Sequence, residues 1–130
     1  ATVPTPPLVG ATPIIKSIKI FASIPVLIFE ERKIIDDKVN LSKADPAAYY
    51  QLELTIDTAD IDKYDFVVEA KPSEGFEDVR FELKKPDGKV NIFFEQTDEI
   101  PDNYELGIGL KNKSDGKFVE IRILQVNTNP

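Results

Sequence analysis

Four aspartates, Asp57, Asp60, Asp62 and Asp65, fall within the nine residues DTADIDKYD. Carboxylate oxygens are hard ligands, so four of them in one loop make Ca²⁺ a candidate ligand, with a solvated acidic loop as the alternative reading. The spacing is not that of an EF-hand, because the loop lacks the central glycine and the closing glutamate. A second acidic group, Glu95, Asp98, Glu99, Asp102 and Glu105, surrounds Ile100-Pro101 and reads as a solvated loop. Asn40-Leu41-Ser42 and Asn112-Lys113-Ser114 both match the acceptor pattern for N-glycosylation, which makes Asn40 and Asn112 candidate modification sites in a secreted protein.

Little else is available for chemistry. The 130 residues contain no His, Cys, Met or Trp. The side chain that titrates near neutral pH, the thiolate nucleophile and the soft metal ligands are therefore missing. There is no nucleophile elbow, phosphate loop or dinucleotide glycine pattern. A glycosidase pair of carboxylates would call for an aromatic-rich cleft, which a chain without Trp does not suggest. The expectation is a non-enzymatic protein with no organic cofactor, and Ca²⁺ as its one candidate ion.

The net charge of −7 argues against nucleic acid and against an anionic membrane surface as partners. The charge is unevenly placed. Residues 1–29 carry no acid, only Lys16 and Lys19, whereas residues 49–130 hold 18 acids and 10 bases. The most apolar run, IFASIPVLIF at 20–29, is interrupted by Pro25 and falls short of the roughly 20 residues a membrane span needs. It reads as strand, and no membrane span is expected. With no Cys, the core alone must hold the fold.

Residues 1–13, ATVPTPPLVGATP, are uncharged and hold four of the ten prolines. Proline fixes φ and removes a donor, so this segment is predicted to be extended and polyproline-like. Residues 14–130 are predicted to form one domain. Period-two alternation places Tyr50, Leu52, Leu54 and Ile56 on one face, and likewise Val79, Phe81 and Leu83. Tyr104, Leu106, Ile108 and Leu110 form a third such set, and Val119, Ile121 and Ile123 a fourth. Further strands are expected at 14–22, 24–29, 33–39, 66–70 and 90–95. Lys85-Pro86-Asp87-Gly88 and Lys113-Ser114-Asp115-Gly116 read as hairpin turns, and Pro72-Ser73-Glu74-Gly75 as a third turn. Residues 41–50 could hold one helical turn capped by Ser42. Gly107 and Gly109 share one face of a strand, which lets a backbone or a bulky ring approach closely. The predicted fold is all-β: an antiparallel β-sandwich or jelly roll of eight to nine strands with an extended Pro-rich N-terminal segment. The expected core includes Leu52, Leu54, Ile56, Phe81, Leu83, Leu106, Ile108, Ile121 and Ile123.

Residues 103–130, NYELGIGLKNKSDGKFVEIRILQVNTNP, resemble the final hairpin of immunoglobulin-like and cadherin-like surface repeats. The shared pattern is a Tyr-x-Leu-x-Ile strand, a polar turn, a Val-x-Ile-x-Ile strand and an Asn/Pro exit. The cadherin calcium linker Asp-x-Asn-Asp is absent, since Val126-Asn127-Thr128-Asn129-Pro130 stands in its place. The resemblance thus implies a surface module and no metal site. The layout of an extended leader before an all-β body is similar to that of secreted archaeal and bacterial filament proteins that exchange strands. That likeness implies an extracellular or cell-surface structural subunit, a homopolymer whose N-terminal segment contacts its neighbour. The start at Ala1 suits cleavage after a signal site. Leu8, Val9, Ile14, Ile18 and Ile20 are the expected subunit-contact side chains. The alternatives are a glycan-binding or adhesion module of a larger surface protein, with a glycan as partner, and a viral capsid-decoration protein.

Overall fold

The structure, a computed structural model, describes residues 14–25 and 28–130. Nine strands are present among them: β1 (Ser17–Ile24), β2 (Ile28–Arg32), β3 (Lys38–Asn40), β4 (Tyr49–Thr55), β5 (Tyr64–Lys71), β6 (Phe76–Lys84), β7 (Lys89–Gln96), β8 (Asn103–Asn112) and β9 (Phe118–Asn127). They form a five-stranded sheet, β2-β1-β4-β7-β6, and a four-stranded sheet, β3-β9-β8-β5. The chain is an all-β sandwich, as its alternation predicts. Every strand pair is antiparallel except β3 with β9, which is parallel. With β2 and β3 set aside, β1-β4-β7-β6 against β9-β8-β5 is the strand order of a constant-type immunoglobulin sandwich. The correspondence is one of topology.

The turns follow their residue chemistry. Lys85–Asp87 forms a single 3-10 turn closed by Gly88 at φ 65, joining β6 to β7. Gly116, at φ 72, ends the turn between β8 and β9, and both positions lie where glycine costs least. Two expected strands are broken. The run 20–29 divides at Pro25, with β1 ending at Ile24 and β2 starting at Ile28. Residues 33–39 contain a tight turn instead of a continuous strand. Asp36 and Asp37 both adopt positive φ, and the backbones of Ile35 and Lys38 bond across them. Asp tolerates that conformation better than most residues. Residues 41–48 hold no helix. The Ser42 hydroxyl accepts the Ala44 N–H at 3.0 Å, a local turn in place of a helix cap.

Between the sheets lie Leu52, Leu54 and Ile56 of the β4 region and Leu106, Ile108 and Leu110 of β8, all buried. Phe94 is the largest fully buried side chain. Its ring packs on Tyr50 at 5.6 Å and on Phe76 at 4.9 Å, and Phe76 in turn meets Tyr104 at 6.1 Å. This aromatic group links β4 and β7 to β6 and to β8 across the sandwich.

Four expected core residues are corrected. Ile121 and Ile123 stand opposite Gly109 and Gly107, on the outer face of the four-stranded sheet, and are only partly buried. Leu124 and Val126 turn inward in their place. Phe81 and Leu83 do lie on the inner face, opposite the buried Ile92 and Val90. They are nonetheless 44% and 39% exposed, because nothing among the described residues covers that end of the sheet.

Candidate functional site

The edges of the two sheets differ in what they leave uncovered. β2 and β6 border the five-stranded sheet, and β3 and β5 border the other. β5 turns Phe66 and Val68 inward, where both are partly buried against the core. β3 pairs only with residues 125–127 of β9, so the earlier part of β9, paired with β8 on one side, has no partner strand on its other side among the described residues. The inner-face side chains of that bare stretch are Glu120 and Arg122, which are polar. β2 presents a charged inner face, Glu30 and Arg32, beyond Ile28. Among the described residues, only β6 combines an unpaired edge with two large apolar side chains directed inward and uncovered, Phe81 and Leu83.

The local shape of β6 sets this up. Its register against β7 shifts between Glu77 and Arg80, and Asp78 there has φ 57. A bulge of this kind inserts one residue and resets the alternation. Phe76 and Val79 can therefore both turn toward the core. From Arg80 onward the strand is regular, with Arg80, Glu82 and Lys84 on the opposite face. Beside the bulge, Asp78 holds the Glu95 carboxyl above its ordinary value through a shared hydrogen bond.

The point where the leader joins the body is fixed by a carboxylate. Glu120 of β9 stands opposite the buried Leu110, so its side chain enters between the sheets. One oxygen, Oε1, accepts the backbone N–H of Ile14 at 2.7 Å and of Ile15 at 3.1 Å. The side chain is 7% exposed, and Arg122 Nη1 lies 3.6 Å from Oε2. The carboxylate satisfies two backbone donors that no strand pairs, while Arg122 offsets its charge. The next N–H, of Lys16, goes to Thr55 O at 2.7 Å.

This placement sorts the expected subunit contacts. Leu8 and Val9 lie outside the described residues. Ile14 and Ile18 are partly buried against their own core, and Ile20 is fully buried. Ile20 lies in the core, its position in β1 flanked by β2 and β4. The clamp at Glu120 was missed in the sequence because its partners are 105 and 106 residues away. The polar pair Glu120 and Arg122, in phase with Leu124 and Val126, was the available signal.

Two outer faces carry further features. On the four-stranded sheet, Gly107 and Gly109 floor a groove of about 310 Å³ walled by Val67, Ile121 and Ile123. A Cβ on Gly109 would lie 2.5 Å from the Phe118 ring, so the close approach expected of a ring occurs there. On the five-stranded sheet, Phe29, Tyr49 and Phe93 form a row, with centroids 6.4 and 5.9 Å apart and planes at 69° and 71°. The Arg80 guanidinium lies 5.8 Å from both the Tyr49 and the Phe93 ring centres.

The clustered aspartates spread over the turn between β4 and β5. Asp57 faces Lys16 at 3.8 Å, Asp60 faces Lys63 at 3.0 Å and Asp62 faces Lys85 at 2.8 Å. Lys85 holds the Asp62 carboxyl below its ordinary value. Asp65 is exposed in β5 opposite Lys111. Among the described residues no group of three or more acidic side chains is placed to hold a metal ion. In the second acidic group, Asp102 pairs with Lys43 at 2.9 Å and Glu105 accepts from Gln125 at 3.1 Å. Of the two sequons, Asn40 donates its side-chain amide to Asn127 Oδ1 and Asn129 O. Asn112, at the end of β8, uses its Oδ1 to accept from the Ser114 N–H and hydroxyl. No helix of the described residues is long and apolar enough to cross a membrane.

Compared with known proteins, the chain matches no protein-family model, no curated protein and no solved structure.

Proposed function

We propose that this chain is a non-enzymatic structural protein, a subunit of an extracellular filament or similar surface assembly in which the N-terminal segment of one subunit docks on the next. The observation that carries the reading is the uncovered inner face of β6. Phe81 and Leu83 point into the sandwich, yet about two fifths of each is open. A sandwich that lacks cover at one edge is completed by a strand from elsewhere, held by main-chain hydrogen bonds with alternate side chains filling pockets. The clamp at Glu120 supports the same reading, because it fixes the root from which the leader departs. The absence of His and Cys supports a role without catalysis.

Deletion of residues 1–13 tests this. The truncated protein is expected to keep the circular dichroism and melting of a folded β domain and to sediment as a monomer at concentrations where the full chain assembles. Equal assembly of both proteins, or a full chain that stays monomeric at millimolar concentration, would overturn the reading.

A second reading, a glycan-binding or adhesion module, draws on the row Phe29, Tyr49 and Phe93. A sugar stacks on an open ring face. Here the rings meet edge to face and Arg80 already covers two of them, so Phe29 alone offers open surface. That arrangement favours a structural role for the row.

A further inference from the structure

We infer that the acceptor on the neighbouring subunit is the free edge of β6 along residues 80–84, and that it receives residues 8–12 of a second copy as an added strand. The inference rests on the proposed assembly function and names its contact.

The donor follows from the proline positions. A strand that pairs along its length needs its N–H groups, and proline has none. Within residues 1–13 the only stretch without proline longer than two residues on the body side of Pro7 is LVGAT, residues 8–12. It is five residues long, bounded by Pro7 and Pro13. The acceptor has the same length: the bulge ends regular pairing before Arg80, and the 3-10 turn begins at Lys85. Side chains alternate along a strand, so an added strand would turn either Leu8, Gly10 and Thr12 or Val9 and Ala11 toward Phe81 and Leu83; each set pairs an apolar residue with a small one. The donor is uncharged, so it lies beside Glu77, Asp78 and Glu82 without repulsion.

The length of the leader decides between its own domain and another copy. The root at Lys16 is bonded to Thr55, which pairs with Lys89, which pairs with Lys84. The root therefore sits at the Lys84 end of the sheet, with β4 and β7 between β1 and β6. A strand added outside β6 lies four strand spacings from β1, about 19 Å, or about six extended residues. A leader folding back onto the outer edge of its own β6 would spend residues 8–13 on that crossing. The part left to pair would then contain Pro6 and Pro7. Residues 8–12 therefore do not reach the β6 edge of their own domain, and the copy that fills this edge is a second one.

Two experiments on the full chain test this. Phe81→Glu combined with Leu83→Glu is expected to abolish assembly while the melting temperature of the monomer stays close to that of the unmodified chain, since both side chains are already partly exposed. Assembly unchanged by the double substitution would overturn the inference. If deletion of residues 1–13 still blocks assembly in that case, the proposed function stands and only the acceptor is wrong. The second experiment uses the absence of native Cys. Glu82→Cys is combined in turn with Val9→Cys, Gly10→Cys and Ala11→Cys. Paired strands bring Cα atoms within about 4.5–5.5 Å, inside the range a disulfide bridges. At least one pair is expected to give an intermolecular ladder on a non-reducing gel. Bridging within single chains, or no bridging by any pair, would contradict the assignment.

Discussion

Phe94→Ala is expected to destabilise the domain by about 3–5 kcal/mol, the range for removing a fully buried aromatic ring from a core. Phe94 is fully buried and lies between the rings of Tyr50 and Phe76. Through Phe76 and Tyr104 the same contact reaches the second sheet. The cavity would open in the layer that joins the sheets, where neither backbone can close in without breaking a ladder. A domain of this size is stable by about 5–15 kcal/mol, so the loss is a large share of the total. Urea denaturation measures it directly. A loss under about 1 kcal/mol would show that this aromatic group does not join the sheets.

Alkaline pH is expected to have an effect of similar size. Burial pushes the Tyr50 and Tyr104 phenols well above their ordinary value of 10.0, with the Asp45 charge adding to the effect at Tyr50. Both hydroxyls donate hydrogen bonds, Tyr50 to Asp45 at 3.3 Å and Tyr104 to Gln96 at 2.6 Å. In the unfolded chain these protons leave from about pH 10 upward, while the folded chain retains them. The unfolded state then binds fewer protons, so stability falls as pH rises, by up to about 1.4 kcal/mol per pH unit for each tyrosine. Below the ordinary value the two groups contribute no slope. Chemical melts between pH 8 and 12 on the native chain and on Tyr50→Phe with Tyr104→Phe check this. The double variant should lose most of the alkaline slope, and an unchanged slope would place its origin elsewhere.

How far the sequence could be read depended on whether one face alone was apolar. β4 and β8 carry apolar residues in a single phase, and Leu52, Leu54, Leu106 and Ile108 fall in the core as expected. β9 carries them in both phases, Ile121 and Ile123 against Leu124 and Val126. The choice between the phases is made by the opposing Gly107 and Gly109, and alternation alone does not contain it. For β6 the face was legible, but its exposure was not, since that depends on what lies across the sandwich from β6. The run 33–39 read as strand because it holds the β-branched Ile34, Ile35 and Val39, whereas two successive aspartates at positive φ turn the chain there. The cluster of aspartates was visible as a count. Lys63 lies within the cluster, but the other two lysine partners come from the approach to β1 and from the turn between β6 and β7. The clamp between Glu120 and the root of the leader joins the two ends of the chain and leaves no local trace.

The most direct test of the assembly account is capture of the leader in trans. A fluorescent peptide of residues 1–13 is titrated with the protein lacking those residues, once that protein has been shown to be folded, and anisotropy is recorded. Saturable binding is expected, competed by unlabelled peptide and lost with Phe81→Glu and Leu83→Glu. Anisotropy that stays flat to millimolar concentration of a folded body would contradict it.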